Sequence, residues 1–73
     1  MPLPEAIAQY RLALEKDPTL DKPHLGLGMA LGSQGDFAAA RKHFEQAAKS
    51  ADSTLRREAE DALRKIQMLE RPN

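Results

Sequence analysis

Cysteine and tryptophan are absent, and the chain carries only one tyrosine and two phenylalanines. Without cysteine there is no disulfide, no thiolate zinc site and no cysteine nucleophile, and the redox compartment is left open. Net charge is missing too, since 11 Lys and Arg balance 11 Asp and Glu. The chain therefore lacks both the counterion-release affinity of a nucleic-acid binder and the pull of a basic segment on anionic lipid. No apolar run approaches the roughly 20 residues that span a bilayer. The N-terminal MPLPEAIAQYRLAL also lacks the basic-then-apolar order of a signal peptide. These absences predict a protein or peptide partner, no nucleic acid, no membrane, and the cytoplasm as the default location. At 73 residues the chain is expected to be a single domain, residues 1–73, near the size at which one core is only marginally stable.

What is present has helical periodicity in four segments, and no segment alternates with period two. The first, residues 4–17, places Ala6, Ile7, Tyr10, Ala13 and Leu14 at helical spacing, with Pro4 in its first turn and Asp17-Pro18 beyond its end. The second is expected to begin at Asp21 as N-cap and to end at Gly35. The third starts from Asp36, another good N-cap, and runs through FAAARKHFEQAAKS. Ser50 to Thr54 form a capping and turn cluster. The fourth, within residues 53–70, aligns Leu55, Ala59, Ala62, Ile66 and Leu69 in a narrow stripe flanked by Leu63. On its outer face Glu60 precedes Arg64 and Asp61 precedes Lys65, the acid-first order that favours pairing. Short gaps predict an all-α, antiparallel array of four helices.

Sliding the chain against itself by 34 residues aligns Ala6 with Ala40, Tyr10 with Phe44 and Ala13 with Ala47. Leu27-Gly28, Ala40 with Phe44 three residues between, GDF at 35–37 and Pro18 complete a pattern that resembles the tetratricopeptide repeat, a helix-turn-helix unit of that period. His24 stands where that family has Trp, Leu31 where it has Tyr, and Asp52 where it has the closing Pro. The resemblance implies an α-solenoid fragment of about one and a half repeats. Residues 4–17 would be the second helix of an incomplete repeat, 21–52 one full repeat, and 53–70 a C-terminal capping helix. Glu58, Asp61 and Lys65 fall where a third repeat would need large apolar residues, so the pattern does not restart.

Four glycines stand at positions 26, 28, 32 and 35. They do not make a dinucleotide fingerprint, because Leu31 occupies the third glycine's place and a helix lies upstream, and no Gly-Lys-Ser or Gly-Lys-Thr follows. The resemblance assigns Gly28 to close helix approach and Gly35 to the turn. Gly26 and Gly32 are left over, each costing about 1 kcal/mol relative to Ala in a helix interior. Projected on the second helix, Lys22, Leu25, Gly26, Met29, Gly32 and Ser33 share a face. In the resembled family the first helix of a repeat lines the concave groove. Leu25, Gly26 and Met29 are therefore candidates for an apolar groove floor that takes a peptide or a partner helix, with Lys22 and Ser33 at its polar edge. The same stripe would equally be covered by a neighbouring helix. Its apolar residues do not suit a carboxylate clamp. An alternative use of the fold is self-assembly into a homodimer, or residence in a longer array, through the face of Ala6, Ile7, Tyr10 and Leu14.

Chemistry is sparse. His24 and His43 read as packed or solvated histidines, no His-x3-His or Glu-x2-His pair makes a metal face, and the serines lie near helix ends where capping is their ordinary role. The residues predict no catalytic site, no cofactor and no metal.

Overall fold

A computed structural model describes residues 3–70 and folds them into α1 (Leu3–Lys16), α2 (Asp21–Ser33), α3 (Phe37–Ala47) and α4 (Ser53–Glu70). The protein is all-α, with no strand among the described residues. The expected domain limits, residues 1 and 73, lie outside the described residues.

Each boundary has a local cause. Pro4 sits in the first turn of α1, where its missing N–H has no helical partner to lose. After Lys16, the Asp17 carboxylate accepts from the Thr19 backbone N–H at 3.0 Å and from the Thr19 hydroxyl at 2.6 Å. These bonds turn the chain and hold the Asp17 carboxyl below its usual range. Asp36 caps α3 as expected, accepting from the Ala39 N–H at 3.2 Å. Asp52 accepts from the N–H groups of Thr54 and Leu55 at 3.0 and 3.3 Å and so starts α4. Gly35 has a φ of 85°, in the left-handed region where glycine is favoured. There the Asp36 N–H reaches back to the Leu31 carbonyl at 3.0 Å.

Two boundary expectations need correction. Asp21 is the first helical residue of α2; the capping position belongs to Leu20, which makes no side-chain cap. The Asp21 carboxylate instead accepts from the hydroxyl of buried Ser50, tying the start of α2 to the loop between α3 and α4. Helix α3 stops at Ala47, short of Ser50, whereas α2 runs to Ser33 with Gln34 as its C-cap and ends on left-handed Gly35 as expected. On α4 Arg64 pairs with Asp61 one turn before it, in place of the expected Glu60–Arg64 and Asp61–Lys65 pairs; i, i+3 and i, i+4 neighbours are both within reach on a helix.

Helix α1 lies on α2, α2 on α3 and α3 on α4, with a lighter contact between α2 and α4. The main core gathers Leu27 and Leu31 of α2, Ala40 and Phe44 of α3, and Ile66 of α4. Ile7, Tyr10 and Leu14 of α1 close it from one side. A second cluster joins Ala47, Leu55 and Ala59, with Leu25 against it. At Gly28 a Cβ would meet the Phe44 ring at 2.8 Å, so the missing side chain is what lets α2 and α3 close around that ring. The apolar stripe of α4 ends sooner than its spacing predicts: Ile66 is buried, while Leu69 is 67% exposed. Arg41 of α3 pairs with Glu70 near the end of α4.

Candidate functional site

Leu25 and Met29 stand one turn apart on α2. They line an open hollow of about 340 Å³ whose other wall is Glu58, Asp61, Ala62 and Lys65 of α4. Leu25 is half-buried by the second core cluster, whereas Met29 is 58% exposed. The hollow thus has an apolar floor of Leu25, Met29 and Ala62. Its polar rim carries Glu58 toward one end and Lys65 toward the other, about 10 Å apart along the helix by the usual rise per residue. Its volume lies at the small end of ligand pockets. The space would take a few apolar side chains, with charged groups at its rim.

The five expected groove residues part company. Leu25 and Met29 come together at the hollow. Lys22 is exposed and is not among its lining residues. Ser33 is exposed and donates its hydroxyl back to the Met29 carbonyl at 3.0 Å, which occupies its hydrogen. Gly26 does not floor the hollow, because the ring of Tyr10 lies over it so closely that an added Cβ would clash with the ring carbons. The glycine admits a helix of its own chain. Gly32 faces Ala40 at an ordinary 3.9 Å from an added Cβ.

The expected self-association face meets the same fate. Ile7, Tyr10 and Leu14 are packed against the main core within the chain, and Ala6 is half-buried beside them. Apolar surface on the α1 side is instead carried by Leu12 and Leu20, 48% and 40% exposed. Glu58, Asp61 and Lys65 had a signal in the sequence: they are the residues that break a third repeat, and the same polarity makes them one wall of the hollow.

A second feature was invisible to spacing. The Nδ1 atoms of His24 on α2 and His43 on α3 are 3.1 Å apart, and His24 Nε2 donates to the Pro18 carbonyl at 2.8 Å. The rings are tilted by 31°, with centroids 5.3 Å apart. Burial, the nearby His24 and the Arg11 charge hold His43 below the usual imidazole range. Among the described residues no three His, Asp or Glu side chains are grouped to hold a metal ion, and no helix is long and apolar enough to cross a membrane.

A scan against protein-family models finds no match, and neither curated proteins nor solved structures give a significant one.

Proposed function

We propose that the protein is a non-catalytic interaction module of tetratricopeptide type that binds an apolar peptide or helix in the hollow between α2 and α4. The observation that carries this reading is the exposure of Met29, 58%, at a concave site floored by apolar side chains and rimmed by charge. An adaptable thioether in such a position suits a partner surface. Short random peptides displayed on phage and selected on the wild-type chain test it. Selected peptides should share an apolar side chain, and Met29→Glu should abolish their binding with helicity unchanged. Equal binding by Met29→Glu removes the reading.

A second reading, self-assembly into a homodimer or longer array, is favoured by the apolar residues outside the core at both ends of the helix series. These are Leu12 and Leu20 beside α1, and Met68 and Leu69 at the end of α4, the latter two 72% and 67% exposed. Light scattering across a concentration series separates the two. A mass that stays near 8.1 kDa opposes self-assembly, and one near twice that value supports it.

A further inference from the structure

We propose that His24 and His43 form a latch between α2 and α3 that holds one proton between its rings and is broken by a second. The reasoning is one of hydrogen counting. A carbonyl can only accept, so the bond from His24 Nε2 to the Pro18 oxygen requires a hydrogen on Nε2. With His24 neutral, its Nδ1 is then a bare acceptor, and His43 Nδ1 must supply the hydrogen of the 3.1 Å contact. With His24 charged, the roles reverse and His43 Nδ1 must be bare. Either way one hydrogen, and only one, lies between the rings.

The ring centroids are 5.3 Å apart, close to the greatest separation that a 3.1 Å nitrogen contact allows. The two nitrogens therefore meet head-on. Lone pairs aimed at each other do not converge on a third point, which sets this pair apart from a two-imidazole metal seat.

Protonation then has unequal consequences. A first added proton goes to His43 Nε2, leaves the shared hydrogen in place and makes the bond charge-assisted. A second has to be placed on the bare Nδ1, so that two N–H groups and two positive charges face each other across the α2–α3 seam. The surroundings do not neutralise this. Arg11 and Glu15 of α1 line the hollow beside His43, and Asp21 of α2 and Lys49 of α3 line the one beside His24, two charges of each sign. No described residue of α4 lines either hollow. Burial, and after it the nearby His24 and Arg11, lower the His43 value; the latch itself rests on the head-on geometry of the two rings.

The linkage sign follows. In the unfolded chain both imidazoles take protons near pH 6.5, while the intact latch takes one fewer. Below that pH, unfolding binds a proton, and the folding constant falls by up to tenfold per pH unit. The latch is independent of the groove reading.

Denaturant unfolding at pH 7.5 and 5.0 tests it, in the wild type and in His43→Gln. Glutamine can donate to a neutral His24 or, with its amide turned, accept from a charged one. The wild-type folding constant should fall by about 10- to 30-fold between the two pH values, and that of His43→Gln by less than about 3-fold. An equally steep fall in His43→Gln, or a flat wild type, overturns the proposal. Nitrogen NMR of the wild-type imidazoles decides the matter even if the variant fails to fold. Two steps separated by more than about one pH unit, each felt by both rings, are expected, and a single common step refutes the latch.

Discussion

Helix α2 has two glycines that touch aromatic rings, and the two contacts differ in what the ring can do. Gly28 lies against Phe44, which is 4% exposed and enclosed by the main core. Gly26 lies under Tyr10, a half-buried ring on the outer helix α1. The first ring has nowhere to go, and the second can swing toward solvent. A glycine's value to a fold is therefore set by the mobility of its neighbour as much as by the distance between them. A third glycine of the same helix, Gly32, has only ordinary contact beside it.

That ranking gives an ordered set of tests by denaturant unfolding. Gly28→Ala should destabilise most, by about 1–3 kcal/mol, because overpacking against a fixed ring exceeds the gain in helix propensity. Gly26→Ala should cost about 1 kcal/mol or less. Adding Tyr10→Ala should reveal coupling between the two sites, since removing the ring removes the clash. If Gly26→Ala costs as much as Gly28→Ala, the Tyr10 ring is held as firmly as Phe44 and the comparison fails. Gly32→Ala should be the smallest change and of opposite sign, a gain of about 0.5 kcal/mol, because the backbone is helical and the Cβ has room.

The bond between the start of α2 and the α3–α4 loop adds a pH test that sharpens the picture of how α2 is anchored. The Ser50 hydroxyl, the largest cause, holds the Asp21 carboxyl below its ordinary range. The contribution is therefore present above the ordinary carboxylate pKa and is lost as pH falls through the lowered folded value. Ser50→Ala should flatten the acid limb of the stability profile below about pH 4 and leave the limb between pH 7.5 and 5, assigned to the histidines, unchanged.

Much of the fold was legible because helix periodicity and end signals are local. Asp36, Gly35 and Asp52 act through bonds to residues at most a few positions away, Pro4 acts by lacking an N–H in a first turn that does not need one, and spacing alone places the four helices. Asp21 was misjudged because its partner, Ser50, is brought close only by the α2–α3–α4 packing. Gly26 was misplaced for the same reason: a bare position on a helix looks identical whether a foreign segment or Tyr10 fills it. Half the site was readable, since Leu25 and Met29 share a face of α2 by counting. The α4 wall was visible only as an interruption of the repeat, and the meeting of His24 with His43 depends on the register of two helices, which no single-helix pattern records.

The helices lie against one another in series, with α1 resting on α2 and no comparable contact to α3 or α4. The turns between them are short, residues 17–20, 34–36 and 48–52. Contacts therefore join segments that are already close along the chain, and little loop entropy stands between the unfolded ensemble and its first native pairings. Folding should be fast, on the order of milliseconds or less. Amide exchange should be quickest along α1, which has one neighbour to lose, and slowest where α2 and α3 enclose Phe44.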